Sequence, residues 1–497
     1  MAQKNVTVAA AAVAAILAAG VPASSWYLGK QIEAIHAEID AKIAAIPYLK
    51  LVRHDYQRNL FDASEVITIE IPAALFPVPV GQERATGTTE PQPETKAPEP
   101  QPPLRFTLRT VIQHGPLPGF KTFAAGNAST IVEFDEPIQK KLAEAFGGKP
   151  ALEIQTRYDF QGGGQGALKS PPFKILVPGE SANSQAILAG DGLEIVVDFT
   201  RHMERYSLRG GAPRFELVEP NGPRMTMTGL RMESRQQRMF ADDPLLYSGS
   251  QQFSLAEINI DPGPENAEKI GLKDLTYDVQ VPASGDFVDV VARMGAGTVQ
   301  IGEQNYGPAS YDFSLKHLHA RKLMTLNRSF MAIYTKPDML QNQAQLMHEL
   351  APMKDQFVAL LLDSPVLSLD RISFHTPEGE AKISARIRLI DAKAEDFSNP
   401  MRLPAKIDAA ADIVLPVTLV TMLAGGKAES EEEAQLSKEM ADQTIANIVQ
   451  QGYATLDGRL LKTRVTFKTG QLLVNDKPFN PMAVMQPQPP ELPSAQY

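Results

Sequence analysis

The chain has 497 residues, 43% of them hydrophobic, which is enough to bury a sizeable core in one large β-rich unit or in about three domains of ordinary length. Its formal charge of -10 provides no basic face for a phosphate backbone, so nucleic acid is excluded as a partner. With no cysteine, disulfides, zinc–thiolate sites, iron–sulfur clusters and thiol nucleophiles are excluded as well.

Residues 1–5 carry Lys4 and precede an uncharged segment, residues 6–28, which as a helix of roughly 1.5 Å rise per residue would be about 35 Å long and would span a bilayer core. Lys4 and the amino terminus keep the start cytoplasmic and send the bulk across the membrane. Trp26, Tyr27 and Lys30 suit the outer interface. Val21-Pro22-Ala23 also reads as a small-x-small cleavage site, in which case the segment is a removed signal peptide. The following residues favour an anchor. Ile32, Ile35, Ile39, Ile43 and Ile46 form one stripe of an amphipathic stalk helix over 29–47, with Glu33, Glu38, Asp40 and Lys42 on the remaining faces and Pro47 as the stop.

Residues 48–485 read as a strand-dominated α+β region, elongated and antiparallel, with a few helices. Phe106, Leu108 and Ile112 alternate with Arg105, Thr107 and Arg109; Ile383, Ala385, Ile387 and Leu389 alternate with Lys382, Ser384, Arg386 and Arg388. Such one-sided strands belong to a sheet with one wet face. Two segments cannot bury apolar area: the Pro-rich insert 81–103 and the tail 486–497. Turns are expected at Glu378–Glu380 and Lys468–Gln471. Helices are expected over 338–350 and over Ser430–Gln451, where acidic residues open the helix and Gly452 ends it.

The motifs that carry chemistry are sparse. Gln161–Ala167, "QGGGQGA", nominally fits a dinucleotide fingerprint, but Pro171-Pro172 forbids the helix that would receive the pyrophosphate, so it reads as a hairpin loop. Gly147–Pro150 reads as a helix stop rather than a phosphate loop. His317 and His319 form an H-x-H pair with no identifiable third ligand. His114 sits in a rigid "HGPLPG" chain reversal and reads as a local hydrogen-bonding group. No catalytic, cofactor-binding or metal-ligating residue is assigned, and no cofactor is implied.

Five pieces in order, "SSWYLGKQIE", "YQRNLFDAS", "QHGPLPG", "YGPASYDFSLKHL" and "GQLLVNDKPFNP", resemble the YdgA-like family of Gram-negative envelope proteins, also called domain of unknown function 945. The resemblance covers nearly the whole chain. It implies an inner-membrane anchor and a large periplasmic portion, and it brings no activity and no catalytic residues. The chain departs from the family at Asn59, where Gly is usual, and at Asn475-Asp476, where Asn-Gly is usual. Two functions follow as expectations. The first is a non-catalytic envelope protein that binds lipid or another envelope component in a β-sheet groove, with a stalk that allows a homo-oligomer. The alternative is an envelope hydrolase using scattered histidines and carboxylates, which requires two of His114, His317, His319, His348 and His375 to converge with an acid.

Overall fold

The computed structural model describes residues 2–46, 48–72, 103–178, 184–220, 222–263, 268–334, 343–376, 378–425 and 431–479; of residues 2–19 it describes the backbone only. The Pro-rich insert 81–103, but for its last residue, and the tail 486–497 lie outside the described residues. A long helix, α1 (Ala2–Ala45), opens the chain, and the strands that follow pair antiparallel.

The chain divides into two compact units. The first comprises Met1–Val290, Ala296–Asn305 and His319–Phe357. Its ladder begins with β1 (Lys50–Arg58) and β2 (Asp62–Ile71), continues through β3 (Leu104–His114) and β4 (Gly126–Phe134), and then β5 (Glu153–Tyr158) and β6 (Gly164–Ser170). The hairpin of β7 (Phe173–Pro178) and β8 (Gln185–Gly190) lies beside one half of β10 (Arg205–Val218), while β9 (Leu193–Phe199), paired with β6, lies beside the other half. Long strands β11 (Arg224–Arg238), β12 (Tyr247–Asp261) and β13 (Ile270–Val281) extend the ladder. The short strands β14 (Ala283–Ser284), β16 (Thr298–Ile301) and β17 (Gln304–Tyr306) follow, together with β15 (Phe287–Ala296), whose residues Val291–Gly295 belong to the second unit.

The second unit comprises Val291–Gly295, Tyr306–Leu318 and Val358–Tyr497. Its ladder runs β18 (Ala309–His319), β19 (Val366–Thr376), β20 (Gly379–Leu389), β21 (Ile407–Pro416). It passes the short β22 (Thr455–Asp457) and continues through β23 (Leu460–Lys468), β24 (Gln471–Val474) and β25 (Lys477–Pro478). Both expected turns close hairpins in this unit. Thr469 and Gly470 take φ of 51° and 79° between β23 and β24, and Asn475 and Asp476 take 47° and 63° between β24 and β25, the two left-handed residues of a type I′ turn.

The glycine motifs resolve as turn chemistry. Asp159 accepts hydrogen bonds from the backbone N–H groups of Gln161 and Gly163, closing the β5–β6 hairpin where a nucleotide fingerprint would need a helix. α2 (Glu136–Ala145) is stopped by Gly147 and Gly148 at φ of 61° and 79°. Asn59 is not left-handed; its N–H instead donates to the Asp62 carbonyl and its side-chain amide to the Asp62 carboxylate, so the β1–β2 turn closes without glycine. Among the described residues, helices over Ala394–Ser398 and Val417–Gly425 were not anticipated, nor was α3 (Ala320–Tyr334), which follows β18 with no breaker between them.

α1 packs on the core of the first unit. Leu28 and Ile32 are buried with Ala63, Ile112, Ala125, Ala128 and Tyr158. The approach is close because glycine stands at the contacts: a Cβ on Gly29 would lie 2.5 Å from the His114 ring. Trp26 rests between Lys30 and Arg58, both cations within 6 Å of its ring. The isoleucine stripe therefore covers this protein's own sheet, and Asp40, placed by the sequence on a wet face, is 6% exposed on the covered one. Among the described residues no helix is long and apolar enough to cross a membrane. Of the segment 6–28, the side chains of residues 6–19 lie outside them, and Ser25 and Leu28 at its far end are packed on the sheet.

Candidate functional site

The second unit presents an apolar face made by strand alternation. Two rows of cross-strand partners run across it. One is Leu315, Leu367, Ile387, Ala409, Phe467, Leu472; the other is Phe313, Leu369, Ala385, Ala411, Val465, Val474. Every member shares one side because the side-chain period of a strand is two. Three alanines occupy the middle of the rows and bulkier side chains occupy the flanks, so the face is hollowed into a trough of about 500 Å³. Leu367 and Ile387 leave 49% and 40% of their surface open to solvent, an unusual exposure for large aliphatic residues at facing positions. Ser368 and Arg386, at positions between the rows, also border the trough, and Arg388 is bonded to Asp408 at 2.8 Å. That guanidinium holds the Asp408 carboxyl below its ordinary range.

Of the histidines named for the hydrolase reading, His114 ends β3, His317 and His319 lie at the end of β18, and His375 lies in β19. His114 is buried; its Nδ1 lies 3.0 Å from the Ser25 carbonyl oxygen and its Nε2 3.1 Å from that of Asp62. Both ring nitrogens are thus engaged with backbone, and the side chain joins α1 to the β1–β2 turn. His317 takes φ of 59°, which breaks the alternation that would have placed it beside His319, and His319 packs edge-on against Phe287. His348 and His375 are exposed.

What sequence reading missed lies under α1. His36 faces the sheet, where its Nδ1 is 2.6 Å from Glu65 Oε2 and its Nε2 2.8 Å from the Tyr158 hydroxyl. Burial and the nearby Glu65 carboxylate raise both the Tyr158 and Tyr56 hydroxyls above their ordinary range. Burial, and then Glu65, raise Asp40 too. The one available signal was spacing, since His36 and Asp40 follow Ile32 at intervals of four.

The fold and site define a strand-dominated antiparallel protein with a helix-covered core and an open apolar sheet face. Residues 4–482 match the bacterial protein of unknown function DUF945, and the chain belongs to that family. No curated protein and no solved structure matches it.

Proposed function

We propose that this protein is a non-catalytic component of the bacterial envelope, held in the inner membrane by the amino-terminal part of α1 with its bulk in the periplasm, and that the trough of the second unit binds the acyl chain of a lipid. The observation that carries the reading is the pair of six-residue apolar rows on one open face. Covering it removes apolar area from water at roughly 25 cal/mol per Å². The occupant is taken to be hydrocarbon because the lining is mostly apolar, with Tyr311, Ser368 and Arg386 as its polar members. On this reading, tethering to a membrane would keep the protein beside a lipid source. The hydrolase reading is not adopted, because both nitrogens of its most buried histidine, His114, are engaged with carbonyl oxygens.

Native mass spectrometry of the protein taken from membranes in mild detergent, with lipid extraction, tests this. The expected result is a phospholipid or glycolipid in stoichiometric amount, lost in Ala411→Leu, which fills the trough without adding charge, and in Ile387→Asp. A lipid-free mass, or lipid retained by both variants, overturns the reading.

A further inference from the structure

One turn beyond its apolar contacts, α1 places a polar surface on the sheet. His36 and Asp40 continue the spacing of Ile32 and so face the same way. Beneath them Tyr56 and Glu65 are direct cross-strand partners, and His54 is two residues from Tyr56 on the same side of β1. Asp40 and Glu65 are 6% and 2% exposed. Glu65 is held from behind by His36, which leaves Glu65 Oε1 pointing the other way, 3.3 Å from His54 Nε2. The same His54 nitrogen lies 3.0 Å from Asp40 Oδ2.

The group is incomplete as it stands. Neither carboxylate oxygen of Asp40 has a hydrogen-bond partner, the 3.0 Å contact to His54 lacking the geometry of one, and the Tyr56 hydroxyl has none either. A buried acceptor left without a donor costs about 1–3 kcal/mol, more when charged. Two carboxylates at close range add repulsion.

These distances are of the size that ligation of one ion requires. Ligand atoms about 2.0–2.2 Å from a tetrahedral zinc lie about 3.3–3.6 Å from one another, and octahedral ligands somewhat closer. One atom each from Asp40, His54 and Glu65 lies within 4.8 Å of the other two, and the two contacts of His54 are 3.0 and 3.3 Å. We propose that Asp40, His54 and Glu65 bind a divalent transition-metal ion that clamps α1 to β1 and β2. One imidazole and two carboxylates, with no thiolate, suit Zn²⁺ or Mn²⁺. His36 is then a positioning residue: its Nδ1–H donates to Glu65 Oε2 while its Nε2 accepts from Tyr158, orienting the carboxylate toward the ion. His54, a third exposed, marks the side from which an ion enters. The site is independent of the lipid-binding reading.

The test uses the full chain in detergent, stripped with a chelator and titrated with zinc sulfate and with manganese chloride, each alone, following heat of binding and melting temperature. One ion per chain is expected, with a rise in melting temperature on binding. Asp40→Asn and His54→Gln should each weaken binding at least tenfold, and His36→Gln by about 10–100-fold while leaving the three ligands in place. Melting of the stripped variants checks that each is folded; His54→Gln, at a partly exposed position, preserves the test if Asp40→Asn does not fold. Absence of stoichiometric binding of either ion, or affinity unchanged in His54→Gln, overturns the proposal.

Discussion

At Gly126 the sheet and α1 come within less than a methyl group of each other. A Cβ there would lie 2.4 Å from the Ile32 terminal methyl and 2.9 Å from the Gln113 carbonyl oxygen. Ile32 is itself buried and the carbonyl belongs to the β3–β4 ladder, so neither gives way cheaply. Gly126→Ala is therefore expected to destabilise the protein by about 1–3 kcal/mol, the usual cost of overpacking. A shift of the urea midpoint without change of slope is the measurement. Gly166 in β6 provides the contrast: its nearest atom, the Thr156 hydroxyl, would be at an ordinary 3.5 Å, and its φ is not left-handed. Gly166→Ala should be neutral or slightly stabilising. If both substitutions cost the same, close approach of α1 is not what glycine serves at Gly126.

Elements repeat this dependence on local chemistry, and show how far it can be read from sequence. The turns were legible because they obey backbone rules. Asn475 and Asp476 both sit at positive φ with no glycine between the strands, and the hairpin forms regardless. A non-glycine left-handed residue costs about 1–2 kcal/mol, partly offset by glycine's larger entropy loss. Asp476→Gly should consequently stabilise the protein by about 0.5–1 kcal/mol, read from the denaturant midpoint; a loss of stability would mean that the Asp476 side chain supports the turn. The strand pattern was legible for a similar reason, since alternation in residues 382–389 is local. The apolar trough needed the register of six strands, which no single strand displays. The isoleucine stripe of α1 was legible in period and misread in meaning: its centre is Leu28, Ile32, His36, Asp40, and the two polar members are buried because partners on β1, β2 and β5 wait for them. A histidine and an aspartate on a helix read as a wet face until the opposing residues are known. α3 was missed because it follows β18 with neither a cap nor a glycine to mark the change.

For the molecule as a whole, the part of the amino-terminal helix that is packed into the first unit begins at Ser25. Ser25 is fully buried, its hydroxyl donating to the His114 carbonyl at 2.7 Å, whereas Trp26 and Tyr27 on the other side of the helix are half exposed. Residues 25–40 thus belong to the folded unit as fully as any strand. Under the proposed anchoring, the stretch that would enter a bilayer, residues 6–24, would be about 28 Å long as a helix, close to the thickness of a hydrocarbon core. Cleavage after Ala23 would remove that stretch and keep the docked segment whole. Chains shortened from the amino terminus should accordingly divide sharply. One beginning at Ser24 is expected to be soluble without detergent and to melt as the full chain does. One beginning at Gly29 loses Ser25 and Leu28, and one beginning at Tyr48 loses Ile32 and His36 as well. Removing a buried Leu or Ile side chain costs about 2–5 kcal/mol against a typical total of about 5–15 kcal/mol. The Gly29 chain should then melt well below the Ser24 chain, and the Tyr48 chain should aggregate, its sheet exposing Ala63, Ile112, Ala128 and Tyr158. Melting temperature and elution volume decide the matter. A Tyr48 chain as stable and monodisperse as the Ser24 chain would show that α1 is carried by the fold rather than part of its core, and it would remove the helix half of the Asp40–His54–Glu65 site at the same time.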